Sequence, residues 1–212
     1  KITTCLIMEI IYNLSIYQKV IGVVFLVFVL IQLYFYLVFY LRVIRKKFND
    51  LPENDEQYPP LSVVICARNE EENLKHFLPK VLEQDYPDYE VVVVNDCSSD
   101  NSDLVLESLQ KKYPRLRVTT IKEDEKFTHA KKLALTVGIK AAKNEWLVLT
   151  DADCFPKSNK WLRYMASNFT NGTEVVLGYG GYLAERGLLN KLVRLDTLFI
   201  ALNYFGWALA RR

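Results

Sequence analysis

The sequence predicts an α/β fold, a Rossmann-like, mostly parallel sheet flanked by helices and preceded by one membrane-crossing helix. Three observations predict it. Past residue 60, short β-branched runs alternate with stretches of helical spacing, the order that builds parallel sheets. Several of those runs end in polar, acid-containing turns, and in open α/β sheets ligands bind beyond the carboxyl ends of the strands. Finally, Val20 to Leu41 contains no charged residue, and Gln32 is its only strongly polar one.

Residues 1–19 form an N-terminal segment in which Met8 is a candidate initiator, with Lys1–Ile7 upstream of it. The apolar run over residues 20–41 reaches about 33 Å as a helix, enough for a bilayer core of about 30 Å. Tyr34, Tyr36 and Tyr40 fall toward its C-terminal end, where aromatic rings suit the interface. A signal peptide would have a shorter apolar region and a small-residue cleavage site. Arg42, Arg45, Lys46 and Lys47 follow the span, and only Lys19 immediately precedes it. The positive-inside rule then predicts a single-pass protein of the cell inner membrane with its domain in the cytoplasm. Residues 42–60 read as a basic juxtamembrane segment and a linker carrying Pro52, Pro59 and Pro60.

Residues 61–187 read as one domain. Leu61–Ala67 is the first strand. Glu70–Gln84 has helical spacing, and Pro79 inside it favours two short pieces. Tyr89–Asn95, with four consecutive valines, is a second buried strand. Asp100–Lys112 is a helix capped near Ser99 or Asp100, and Leu116–Ile121 a weaker third strand. Lys122–Thr128 is a charged loop. Ala130–Ala142 is a helix with Leu133, Val137 and Ala141 on one face. Glu145–Thr150 is a fourth buried strand, Asn159–Phe169 a helix, and Glu174–Leu177 a short fifth strand. Residues 188–212 are helical in pattern and very apolar from Leu198 to Ala210, though interrupted by Asn203 and Gly206. They read as a packed helix touching the membrane.

Composition narrows the function. Lys and Arg nearly balance Asp and Glu, for a formal net charge of +2, so no broad basic field exists and nucleic acid is not an expected partner. Four cysteines (Cys5, Cys66, Cys97, Cys154) show no C-x-x-C spacing, and with two histidines they argue against zinc. Small apolar fillers in a reducing compartment are the expectation.

Chemistry gathers at the strand ends. The fourth strand runs into Asp151-Ala152-Asp153, two carboxylates one residue apart and hard oxygen donors suited to Mg²⁺ or Mn²⁺. The first strand ends at Ala67-Arg68-Asn69-Glu70 and the second at Asn95-Asp96. Each has an ordinary explanation in capping and turn formation. All three on the ligand-binding edge of one sheet point to a pocket. Neither Gly-x-Gly-x-x-Gly nor Gly-x-x-x-x-Gly-Lys-Ser/Thr is present, so a diphosphate must be neutralised by other means. A metal on Asp153 with help from Lys131 meets that need; Lys131 and Lys132 open a helix, the wrong end for cations on dipole grounds.

These stretches resemble membrane-anchored, bacterial-type family 2 glycosyltransferases of the GT-A fold. The resemblance rests on Leu61–Leu74, Gln84-Asp-Tyr-Pro87, Val91–Asp100, Ala130-Lys-Lys-Leu-Ala-Leu135 and Leu149–Asp153, and covers about Pro60 onward. It implies an inverting, hexosyltransferase-type enzyme that moves sugar from a UDP-linked nucleotide sugar to a lipid-linked or polysaccharide acceptor with Mn²⁺ or Mg²⁺. By the same resemblance Ala67, Arg68 and Glu70 line the nucleotide pocket and Asp96 binds the base or ribose side. Lys131 lies near the nucleotide, Asp151 contacts ribose or donor sugar, and Asp153 binds the metal. Ala130 stands where the family has glycine, and Thr136 where asparagine is common. The later acidic motif that supplies the general base is not matched, and Asp196, the only carboxylate after Glu185, has different surroundings. The expectation is therefore an N-terminal portion of an enzyme without its base. The alternative is a non-catalytic, membrane-tethered protein that binds nucleotide sugar.

Overall fold

The computed structural model describes residues 15–47, 51–52, 54–121, 131–169 and 172–210. The predicted charged loop Lys122–Thr128, Ala130 and Cys5 lie outside them. The chain divides into two units, one of residues 1–48 with 179–212 and one of residues 49–178.

Among its described residues the first unit contains two helices. Helix α1 (Ile16–Arg45) extends the predicted span at both ends. A reciprocal cap starts it: the Gln18 N–H donates to Ser15 Oγ, and the Ser15 N–H to Gln18 Oε1. Arg42 and Arg45 occupy its last turn, where the helix dipole favours cations. The second helix of this unit runs Leu188–Ala210, straight through Asn203 and Gly206. Gly206 lets it approach closely, since a β-carbon there would sit 3.2 Å from Phe39 Cβ. Phe39 lies 4.9 Å from the Trp207 ring, Phe35 6.0 Å from Trp207, and Tyr40 6.2 Å from Phe199. Rising numbers on α1 thus meet falling numbers on its partner, as in antiparallel packing. Both helices are long and apolar enough to cross a membrane by length and composition.

The second unit is the α/β domain. Its strands are β1 (Leu61–Ala67), β2 (Tyr89–Asp96), β3 (Leu116–Ile121) and β4 (Trp146–Asp151). They pair in the order β3-β2-β1-β4, all parallel. The helices between and after them are α2 (Glu71–Leu82), α3 (Ser102–Lys112), α4 (Lys131–Ala141) and α5 (Trp161–Ala166). The helix over Leu188–Ala210 is α6.

Strand β2 is central and buried along its whole length, so it needs apolar side chains on both faces. Val91 to Val94 supply them, each worth about 2 kcal/mol of transfer free energy as an upper estimate. One face packs Val63, Ile65, Val91 and Val93 against Leu74, Leu78 and Val81 of α2, Leu106 of α3 and Leu162 of α5. The other face, with Val64 and Val94, meets α4 at Gly138. Leu133 and Val137 only flank that contact; the buried stripe of α4 is Ala134 and Gly138, because small residues bring the helix axis close.

Four expectations change. Helix α2 is continuous through Pro79, which forfeits one bond to the Lys75 carbonyl while Leu78, Val81 and Leu82 around it stay buried. Strand β4 is an edge strand rather than a fully buried one, and Leu149 is 53% exposed. Glu174–Leu177 forms no strand, and Val175 is 73% exposed, because no described strand lies alongside to pair with it. The linker before Leu61 is not a free tether. Tyr58 is buried in the core, and its ring meets Tyr86 edge-on at 5.4 Å. Arg163 Nη1 bonds Asp55 Oδ1 at 2.7 Å while its guanidinium also reaches Asp85 and covers the Tyr58 ring. The compact unit that contains the sheet runs over residues 49–178.

The amino ends of β1 and β2 are locked by a buried carboxylate. Glu90 accepts from Ser62 Oγ (2.7 Å), the Lys143 N–H (2.6 Å) and Arg117 Nη1 (3.2 Å). Burial opposes its charge, but the bonds from Lys143, Ser62 and Arg117 outweigh burial and hold the carboxyl below its ordinary value of 4.5. A lowered folded-state value stabilises the fold above the unfolded-state value and is lost as pH falls through the folded one. Glu90→Gln is expected to cost about 2 kcal/mol at pH 7, and the gap to the native chain should narrow below about pH 4.5. Melting temperatures at pH 7 and 3.5 check this; an equal gap at both would refute it.

Candidate functional site at the carboxyl edge of the sheet

Parallel pairing puts all four strand ends on one edge. Asn95 is in register with Ala67, and Asp151 with Cys66, so the ends of β1, β2 and β4 stand side by side. Ala67 is the last residue of β1 and buried, Arg68 is exposed just beyond it, and Glu70 precedes α2 half-buried. Glu70 is held by Asn73, whose Nδ2 donates to Oε2 at 2.6 Å. Asp96 closes β2 and is 7% exposed.

The loops after β1 and β2 are laced together. Asn69 adopts φ 57° and Cys97 φ 53°, the left-handed region that asparagine tolerates better than most residues. Asn69 Oδ1 accepts from the Ser99 N–H (2.7 Å), and the Asn69 N–H donates to Ser98 Oγ (2.9 Å). Asp100 caps both helices, accepting from the Glu71 N–H and the Ser102 N–H at 3.0 Å each. Glu71 Oε2 in turn accepts from Asn101 Nδ2 at 3.0 Å. The predicted cap of α3 near Asp100 is thus also the cap of α2, an assignment that sequence spacing alone cannot make.

Beyond β4, the Cys154 N–H donates to the Asp151 carbonyl at 3.2 Å and closes a turn. Ala152 points into the core, which turns Asp151 and Asp153 outward. Lys131 Nζ meets Asp151 Oδ1 at 2.7 Å across the edge, where both side chains are exposed. The Asp151 hydrogen bond raises the Lys131 pKa against slight burial, with smaller contributions from Cys66 and Asp153. Burial pushes the Cys66 thiol up; Lys131 opposes this, while Asp151 and Asp96 add to it. Cys154 Sγ donates to Asp153 Oδ1 at 3.3 Å. Burial and then that bond push its thiol up to about 11, so it stays protonated at neutral pH. Cys66, Cys97 and Cys154 are all free thiols. Cys66 and Cys154 are the site neighbours that sequence reading treated as fillers; their one signal was position at the strand ends.

The structure thus joins Lys131 with Asp151 directly and sets Ala67, Asp96 and Asp151 on one edge; Arg68 and Glu70 stand on the flanking loop. Among the described residues, no group of three His, Cys, Asp or Glu side chains gathers to cage a metal.

A parallel sheet of this order, with helices on both faces and its polar ends gathered at the carboxyl edge, is the GT-A class of α/β domain. The chain belongs to glycosyl transferase family 2, whose sequence profile matches residues 62–195, well over half of the chain. It is 30% identical over 119 residues to a poly-beta-1,6-N-acetyl-D-glucosamine synthase of Staphylococcus epidermidis, over 55% of this chain and 28% of that protein. It is 31% identical over 138 residues to glycosyltransferase AglE of Haloferax volcanii, over 60% of this chain and 44% of that one. Among solved structures it is similar to the mannosyltransferase PcManGT of Pyrobaculum calidifontis in complex with GDP-Man and Mn2+. That likeness has TM-score 0.51 and 29% identity, over 62% of this chain and 39% of the other. The chain spans less than half the length of these curated relatives.

Proposed function

We propose that the chain takes part in transferring a sugar from a nucleoside diphosphate sugar, UDP-linked, to a lipid-linked or envelope glycan at the cytoplasmic face of a membrane. The observation that carries this reading is the single edge where Ala67, Asp96 and Asp151 end their strands and Lys131 reaches Asp151. Glu70, Arg68 and Ala67 line the nucleotide side, Asp96 faces the base or ribose, and Asp151 faces ribose or donor sugar.

The donor set fits a divalent ion carried in by the diphosphate. Mg²⁺ and Mn²⁺ keep several waters and need only one or two protein carboxylates beside phosphate oxygens, so a cage of three acids is not required. Asp153, exposed and turned out by the burial of Ala152, would hold it, and the protonated Cys154 donates to that carboxylate as a neighbour. When bound, the ion neutralises the diphosphate and stabilises the departing nucleoside diphosphate. Lys131 supplies a second positive charge that exchanges its carboxylate partner for a phosphate oxygen when donor arrives. The named synthase and the GDP-Man complex support a nucleotide-sugar donor and glycan product. The length of α1 and its basic last turn support tethering at a cytoplasmic membrane surface.

Calorimetry tests the reading. With Mn²⁺ present, UDP is expected to bind the detergent-solubilised chain, and competition with GDP reports the preferred base. Lys131→Met should weaken UDP about tenfold and flatten the salt dependence of binding. No Mn²⁺-dependent binding of either nucleotide by the unsubstituted chain would sink the proposal.

A further inference from the structure

We propose that Phe155 is a positioning residue for Asp153: its ring, stacked on Phe77 and covered by Lys80, docks the turn after β4 onto helix α2. This rests on the donor-site reading above.

The turn needs such a clamp. Asp151, Asp153 and Cys154 are all exposed, and a single backbone bond closes the loop between them. Ala152 fixes its near side in the core, but a methyl group offers little resistance to rotation of the residues after it. The next firm backbone attachment on the far side is Ser158, whose carbonyl accepts from Gln84 Nε2 at 3.0 Å. Between them the Phe155 ring lies 4.9 Å from that of Phe77, with 30° between the planes. Lys80 Nζ stands 3.7 Å from the Phe155 centroid and 5.4 Å from that of Phe77. Phe77 and Lys80 are three residues apart and share one face of α2.

The cluster is not part of the hydrophobic core. Phe155 and Phe77 are half-buried and stand apart from the side chains that fill the space beneath α2. Stacked rings and a cation over a ring give orientation as well as attraction, since both interactions depend on ring angle. The start of α2 is tied to the loop after β2 and to α3: the Glu70 N–H donates to Ser102 Oγ and the Glu71 N–H to Asp100 Oδ2. Through Phe155 the metal-side turn is therefore referenced to the same helix that carries the nucleotide-side loop. A carboxylate that must meet an ion already held by phosphate gains from such pre-orientation, and loss of an outer-shell support typically costs 10- to 100-fold in metal affinity.

The test compares Phe155→Ala and Phe155→Tyr with the native full chain in detergent. In Phe155→Ala, UDP binding in the presence of Mn²⁺ is expected to weaken about tenfold or more, with UDP binding in EDTA unchanged. Amide exchange of a peptide containing Cys154 should speed up about tenfold, while peptides of β1 and β2 keep their protection. Phe155→Tyr should restore both. Unchanged exchange at Cys154, or equal losses with Mn²⁺ and in EDTA, overturns the positioning role. Faster exchange at Cys154 with no Mn²⁺-dependent UDP binding by the native chain overturns the donor-site reading, and the role of Phe155 toward Asp153 with it.

Discussion

Asp153→Ala is expected to lower the affinity for UDP with Mn²⁺ about 100-fold, or about 2.7 kcal/mol, and to leave the fold intact. The two halves of that expectation have separate causes. Asp153 is exposed, and the contact that holds it is a weak thiol donation from Cys154, so the truncation leaves no buried group unsatisfied. Melting without metal should move by no more than about 0.5 kcal/mol. On the proposed reading its oxygens would give a hard donor to an ion whose other ligands are phosphate oxygens and waters. Asp151→Ala should behave differently, because it also releases Lys131 from its 2.7 Å partner and leaves the cation available to phosphate. Calorimetry at matched Mn²⁺ separates the two variants. Native affinity in Asp153→Ala would remove that residue from the metal site.

Gly138→Val should cost the α/β domain about 3 kcal/mol or more, a large share of the 5–15 kcal/mol that domains possess. A β-carbon on Gly138 would lie 2.5 Å from Val64 Cγ1 and 3.0 Å from Val94 Cγ2. Those methyls belong to β-branched residues in buried strands, stiff at χ1, so they cannot swing aside. Gly138→Ala sets two effects against each other: about 1 kcal/mol of helix propensity gained and about 1–3 kcal/mol of overpacking. The clash should win, leaving alanine intermediate between glycine and valine. Denaturant unfolding with the slope monitored gives the order, and a stabilised Gly138→Ala would show that α4 can lift off the sheet without penalty. Any such lift would also carry Lys131, seven residues earlier on the same helix, away from Asp151.

The part of this fold that pattern reveals is the part buried on both sides. Four consecutive valines have few homes other than a central parallel strand, and β2 is one. Strand β4 has nearly the same apolar look yet lies at an edge, since the pattern of one strand does not say how many neighbours it has. Glu174–Leu177 carries the β-branched signal without a partner to make it a strand. Prolines and acids before Leu61 suggest a tether because Tyr58 looks like any loop tyrosine; its burial depends on Tyr86 and Arg163, far away in sequence. At the site, residue types and strand ends were readable from spacing. The cross-loop caps, the Lys131–Asp151 pair and the Phe155 clamp were not, since each joins residues about 20 to 80 positions apart.

The reciprocal lacing of the loops after β1 and β2 bears on how this protein can change over evolutionary time. Asn69 reads Ser98 and Ser99, Asp100 reads Glu71, and Glu71 reads Asn101, so neither loop has a conformation of its own. Residues sharing such a network couple, and their substitutions do not add. A lineage drifting toward a different nucleotide or sugar could not adjust one loop and then the other by independent steps. Its accessible routes run through matched exchanges in both loops, and most single steps would be purged for stability before any new preference was exposed to selection.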